Sequence, residues 1–196
     1  MDSSDKSLID AHLKGDREAF GKLVRRYGDS ILGYLTRMAG SQEQAEDFFQ
    51  ETFKRVHEKA HTLRGNQFKP WLFQIATRVT IDGLRRRKRL REVSLNQKLD
   101  CAGTEEQELG AVAVADNSYE PSGEAIKAEQ AKQVQQAIQS LPTKQRATLV
   151  LAYYQQLSFS EVAAILGCSI GTVKTQMYRA LRTLAKRLPD ISEGLE

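Results

Sequence analysis

The segment His57–His61 reads HEKAH and satisfies H-E-x-x-H, the helical arrangement in which two imidazoles one turn apart hold zinc while the intervening Glu activates water. A catalytic zinc also needs a third protein ligand and a dry, shaped pocket. The only other histidine is His12, and Arg64 stands where the extended metzincin pattern requires Gly. A carboxylate could still complete a site. A helix turns about 100° per residue, so the stripe Ala45, Phe48, Phe49, Thr52, Phe53 and Val56 defines its inward direction. His57 then lies a quarter turn off that centre, and His61 farther toward solvent. Ordinary surface histidines are the expected reading, with no metal, no cofactor and no catalytic residue.

Three other groups of residues carry chemistry of a different kind. The segment SIGTVKTQMYRALRTLAKRL, from Ser169, exposes Lys174, Thr175, Gln176, Tyr178 and Arg179 once its apolar positions are turned inward. Arg and Lys suit guanine or phosphate, Gln suits adenine, and Thr suits phosphate or a thymine methyl. The run RRRKRLR at Arg85–Arg91 is less specific: a phosphate-binding helix end, a localisation-like patch or a solvated terminus all fit. Nearby Phe68, Trp71 and Phe73 favour nucleic acid, because aromatic rings stack on unpaired bases; packing in the core is the alternative for Trp71. Asp47, Gln50 and Glu51 form an acidic and amide face that DNA would repel. That face is either simply solvated or docks a basic protein surface.

Helices must position all of these. Phe20, Leu23, Val24, Tyr27 and Ile31 recur at three- and four-residue spacing, and Leu35 and Met38 continue the stripe. Gly40 ends that helix, and Ser41 with Gln44 forms a capping box for the next. A third helix opens at Pro70, buries Leu72, Ile75, Ala76 and Val79, and closes with the basic run. Residues 92–124 lose this periodicity and read as a flexible acidic tether. A further helix is expected over Ala125–Ser140, stopped by Pro142, and another over Lys144–Tyr154. A helix-turn-helix follows. Ser158 and Glu161 cap its first helix, which buries Val162, Ala163, Ile165 and Leu166. Gly167-Cys168-Ser169 makes the turn, and Ser169 caps a second helix with core positions Val173, Met177, Leu181 and Leu184.

The charge pattern agrees with that division. Residues 1–91 hold 19 basic against 12 acidic residues, residues 92–124 one against eight, and residues 141–188 seven against one. Two basic blocks flanking an acidic one point to a polyanion partner for the blocks and a separate role for the middle. No apolar run approaches the roughly 20 residues of a membrane span, and MDSSDKSLID lacks the basic-then-apolar form of a secretory signal. Cys101 and Cys168 suggest neither a zinc cluster nor a disulfide framework. A cytoplasmic protein with no membrane insertion is expected. The fold class expected is all-α, two small helical domains joined by a flexible acidic linker: 1–91, 92–124, 125–188 and a tail at 189–196.

DREAFGKLVRRY, QAEDFFQETFKRV, FKPWLFQIATRVTIDGLRRRKR and LPTKQRATLVLAYYQQLSFSEVAAILGCSIGTVKTQMYRALRTL occur in that order. With these segments the chain resembles an extracytoplasmic-function (group IV) sigma factor, the promoter-specificity subunit of bacterial RNA polymerase, over nearly its whole length. The resemblance implies no enzymatic activity. It implies docking on the beta-prime clamp of core RNA polymerase through Asp47, Phe48, Gln50 and Glu51. Minus-ten DNA would be melted and read by Leu63, Phe68, Lys69, Trp71, Arg78, Asp82, Arg85 and Arg86. The minus-thirty-five element would be read by Ser169, Thr172, Lys174, Thr175, Gln176, Tyr178 and Arg179. It further implies that the tether stands in for a nucleic-acid strand in the RNA-exit path, and that an anti-sigma protein or comparable regulator covers both domains. Two departures bear on promoter preference: the family often has Asn where Arg78 stands and usually Arg where Gln176 stands. In this family HEKAH falls at the end of the clamp-docking helix, where varied polar residues are tolerated.

Overall fold

The computed structural model describes residues 4–65, 67–100 and 123–188. Among the described residues there are eight α-helices: α1 (Asp5–Leu13), α2 (Arg17–Ala39), α3 (Gln42–Lys59), α4 (Phe68–Asp100), α5 (Gly123–Gln139), α6 (Thr143–Leu149), α7 (Phe159–Leu166) and α8 (Ile170–Arg187). A 3-10 turn at Ala60–Thr62 follows α3, and a single π turn at Val150–Tyr154 continues α6. No strand occurs among the described residues.

Short polar side chains set the starts of α1, α2, α3, α7 and α8. Asp16 accepts from the Glu18 and Ala19 amides at α2, and Ser41 from the Gln44 amide at α3. Ser158 and Glu161 complete a reciprocal capping box at α7, and Ser169 accepts from the Thr172 amide at α8. These satisfy amides that have no partner within the helix. Gly40, at φ 86°, ends α2 in the left-handed conformation that lets its amide reach the Thr36 carbonyl.

The first half packs α2, α3 and α4 around Leu23, Ile31, Leu35, Val56, Leu72 and Phe73, all fully buried. At its centre the Tyr34 hydroxyl bonds the Thr77 hydroxyl at 2.8 Å, so a buried polar tip is satisfied within the core. Burial pushes the Tyr34 phenol well above its ordinary range. Between α3 and α4 the approach is close: a β-carbon at Gly83 would lie 2.3 Å from Phe48 Cε1. The second half packs α6, α7 and α8 around Val150, Leu151, Val162, Val173 and Ala180. The two halves also pack on each other, and their buried side chains form one contiguous cluster.

Several expectations need revision. Helix α1 was not anticipated. Ser4 caps it, Leu8 and Ile9 anchor it, and Asp5 holds it to α2 through Arg26 at 2.6 Å and the Tyr27 hydroxyl at 2.5 Å. Helix α4 does not stop at Arg91 but runs to Asp100, so residues 92–100 of the expected tether are helical; residues 101–122 lie outside the described residues. On α8, Leu181 is 52% exposed rather than core, because the buried positions step Val173, Ala180 with Met177 and Leu184 partly covered. One position's shift along the helix rotates a side chain by about 100°.

His12 packs against Phe20 and His57, with ring centroids 4.8 and 4.9 Å away. Burial and then the neighbouring His57 hold its pKa below the ordinary 6.5. The folded chain therefore resists a proton that the unfolded chain accepts. This part of the stability is fully present above about pH 6.5 and is lost as pH falls through that value. Urea midpoints measured from pH 7.5 to 5 should decline, and the His12→Phe variant should flatten the decline above pH 5.

Candidate nucleic-acid interface

The outer face of α8 is built by the cap at its start. Ser169 Oγ lies 2.9 Å from Thr172 Oγ1 while accepting the Thr172 amide, which engages both hydroxyls in the turn. Beyond that turn Lys174, Thr175, Tyr178 and Arg179 are exposed on the helix surface, Tyr178 at 64%. Thr175 donates its hydroxyl back to the Gly171 carbonyl. Gln176 differs from these neighbours: it is half-buried and lines a cavity of about 270 Å³ with Thr172, Lys144, Arg78 and Asp82. Glu161, at the head of the preceding helix, is held below its ordinary range by hydrogen bonds from the Ser158 hydroxyl and amide.

Helix α4 supplies a second surface. Trp71 is half-buried and, with Gln74, Ile75 and Arg78, lines a cavity of about 430 Å³. The opposite wall is Arg55, Lys59, His61 and Thr62, from the end of α3 and the 3-10 turn. An indole edge among Arg55, Lys59 and Arg78 suits an unpaired base together with its phosphate. Phe68 does not share this surface, contrary to expectation. Only 1% exposed, it packs between Tyr27 and Trp71 at 5.2 and 5.8 Å, so its ring serves the core. Lys69 donates to the Gln155 carbonyl at 2.9 Å. Leu63 is half-buried, and its amide closes the 3-10 turn onto Ala60. Farther along, Asp82, Arg85, Arg86 and Arg89 flank an open groove of about 400 Å³.

Arg55, Lys59 and His61 were not singled out for this pocket from the sequence. The available signal was the four-residue step from Arg55 to Lys59, which puts two cations on one face just before the turn. His61 of HEKAH belongs here. His57 instead stacks on Phe20 and His12. Among the described residues, no group of three or more His, Cys, Asp and Glu side chains could hold a metal ion.

On α3, Asp47 and Gln50 are exposed, and Glu51 is ion-paired with Arg55 at 2.7 Å. Phe48 is half-buried and lies against α4 at Gly83, so it orients the face rather than forming its exposed tip.

Residues 23–90 match the family model of Sigma-70 region 2, and residues 131–184 that of Sigma-70, region 4. The sequence is 36% identical over 192 residues to the ECF RNA polymerase sigma factor SigW of Bacillus subtilis (strain 168), covering 97% of this chain and 100% of that one. The chain belongs to the ECF sigma factors. This family consists of transcription-initiation factors. Among solved structures, the sigma factor RpoE in complex with the anti-sigma factor NepR from Bartonella quintana is similar at a TM-score of 0.64 and 26% identity, covering 87% of this chain and 97% of that one. CnrH in complex with the cytosolic domain of CnrY shares the fold at a TM-score of 0.67 and 22% identity, covering 95% and 98%. In this sigma factor, then, α2–α4 are region 2 and α5–α8 carry region 4.

The Gly83 contact gives a direct check on how the α3 face is held. Gly83→Ala would push the Phe48 ring off α4, and overpacking of this kind costs about 1–3 kcal/mol. A lowered urea midpoint is expected, restored in large part by the paired change Phe48→Leu; an unchanged midpoint for Gly83→Ala would show that the ring moves freely.

Proposed function

We propose that this sigma factor is a group IV member that binds core RNA polymerase and directs it to a small set of promoters with minus-ten and minus-thirty-five elements. The observation that carries this reading is the pairing of two different nucleic-acid surfaces on one chain. One is an exposed basic and polar face on a capped helix-turn-helix, suited to the major groove of a duplex. The other is an aromatic pocket ringed by cations, suited to an unpaired strand. Lys174, Thr175, Tyr178 and Arg179 read the upstream element, with Ser169 and Thr172 fixing the helix start. Gln176, half-buried, tunes preference only once its surroundings change. Trp71, Arg78 and Lys69 receive the minus-ten base, with Leu63 shaping the loop; Arg85 and Arg86 follow the backbone of the opened strand, and Asp82 faces the bases rather than the phosphates.

Asp47, Gln50 and Glu51 dock on the basic clamp of the polymerase, with Phe48 behind them. No covalent step is catalysed. Strands separate because the pocket binds an extruded base that the duplex withholds, and the binding difference offsets the cost of unstacking. The proposed divisions are 1–91 for docking and minus-ten reading, 92–124 as linker, 125–188 for minus-thirty-five reading and 189–196 as tail. Cytoplasmic location fits this role; no described helix is long and apolar enough to cross a membrane. Control by an anti-sigma partner is supported by the similar sigma factor RpoE, solved in complex with the anti-sigma factor NepR.

Reconstitution with core polymerase on a genomic promoter library tests the class: defined start sites are expected, and none would sink it. Asp47→Lys places a cation against a basic partner and should weaken core binding about tenfold or more, read by native gel or fluorescence anisotropy. Lys174→Ala should weaken initiation across promoters alike and flatten its salt dependence. Trp71→Ala should spare core binding while reducing open-complex formation, measured by permanganate reactivity of unpaired thymines.

A further inference from the structure

The two histidines of HEKAH part company in the fold, and the second is left facing the Trp71 cavity. Helix α3 ends at Lys59, and the 3-10 turn that follows is pinned by Ala60, only 1% exposed. Within the turn the Leu63 amide donates to the Ala60 carbonyl at 3.2 Å, and the Thr62 hydroxyl donates to the Lys59 carbonyl at 2.8 Å. With Ala60 turned inward and Thr62 engaged, the exposed His61 is presented on the cavity wall beside Arg55 and Lys59, across from Arg78. All of these come from α3, the turn and α4, so the site is complete within region 2.

Its charges are of one sign. Among the described residues no carboxylate lines this cavity, although Arg55 is ion-paired with Glu51 at 2.7 Å. Glu58 and Arg64, the nearest charges in sequence outside the cavity, are both exposed. From α1, which packs against the turn, His12 is turned to Phe20 and His57, and Asp5 to Arg26 and Tyr27; Lys6, Asp10 and Lys14 are exposed. Imidazole is the side-chain group that gains charge between about pH 8 and pH 5, and once charged both its nitrogens donate. Three fixed cations and one conditional cation around an indole suit a phosphate beside a stacked base.

We propose that His61 is a proton-dependent phosphate contact of the minus-ten pocket. Neutral, it leaves the unpaired strand to Arg55, Lys59 and Arg78; charged, it adds a fourth cation and tightens the grip. Strand and proton then favour each other reciprocally, so capture of the strand strengthens in acid and weakens in alkali. This rests on the reading that the pocket takes the unpaired strand, but the phosphate contact can be tested without a promoter.

Trp71 is the only tryptophan in the chain, so its fluorescence reports on this pocket. The full-length protein is titrated with single-stranded octathymidylate at about pH 8 and about pH 5.5 over a range of salt concentrations, with helicity checked by circular dichroism. Each phosphate neutralised on a single strand contributes about 0.7 to the slope of log affinity against log salt. The unmodified protein should bind more tightly in acid, with a slope steeper by about 0.7. His61→Gln should give the shallower slope at both pH values, and His61→Arg the steeper slope at both. His12→Phe should keep the difference, because His12 does not line the cavity. Absence of quenching at either pH, equal slopes in the unmodified protein, or an acid steepening that survives His61→Gln would overturn the contact. Start-site selection with equal slopes would sink the His61 contact and leave the proposed function standing; the full pattern without start-site selection would do the reverse.

Discussion

The guanidinium of Arg146 sits where two helices end, and much of the arrangement follows from what it satisfies. It donates to the Met38 carbonyl at the end of α2 at 2.6 Å, to the Leu141 carbonyl at 3.1 Å and to the carbonyl and side chain of Gln139 at the end of α5. Gln139 in turn donates to the Arg37 carbonyl at 2.7 Å. The last carbonyls of a helix have no partner of their own and carry partial negative charge, so a cation placed among them both neutralises and bonds. Among the described residues no carboxylate takes part. The planar fork of an arginine can address several acceptors at once in a way a lysine cannot. Gly40 is part of the same arrangement, because a β-carbon there would meet Gln139 Oε1 at 2.9 Å. The capping of α2 therefore depends on residues more than a hundred positions away, and the two halves are joined through it.

Much of this architecture is legible in the sequence because it is periodic or punctuated. The stripes of α2, α3 and α4, the proline at the start of α4 and both caps of the helix-turn-helix can be read directly, since each obeys a local rule. Helix α1 escapes such reading: it has nine residues, only Leu8 and Ile9 buried, and its attachment through Asp5 to Arg26 and Tyr27 spans more than twenty positions. Leu181 and Ala180 are adjacent, and apolarity alone favours the larger residue for the core. The helix nevertheless turns the smaller one inward, Ala180 being fully buried and Leu181 half exposed.

The candidate site divides in the same way. The face of α8 follows from helix geometry, as does the exposure of Asp47 and Gln50. Phe68 and Trp71 lie three residues apart in one aromatic cluster, and nothing local says which ring enters the core. Tertiary contact with Tyr27 decides it. Arg78 shares α4 with Trp71, but Arg55 and Lys59 come from a different helix, so their convergence depends on how α3 and its 3-10 turn end. The seam between the two halves is the least legible feature of all. Ser30 and Gln155 are 125 residues apart, are uncharged and belong to no motif.

The composition of the seam matters for what it can do. Apart from Arg37 over the Tyr154 ring at 4.2 Å, the Lys69 contact and Arg146, its polar links are neutral amides and hydroxyls. A neutral hydrogen bond is worth only about 0.5–1.5 kcal/mol net, since water replaces it on opening. A seam of buried ion pairs would leave uncompensated charges on opening and cost several times more. One made only of apolar surface would expose an adhesive face once released. Neutral polar contacts over a modest apolar layer hold the halves together without either liability.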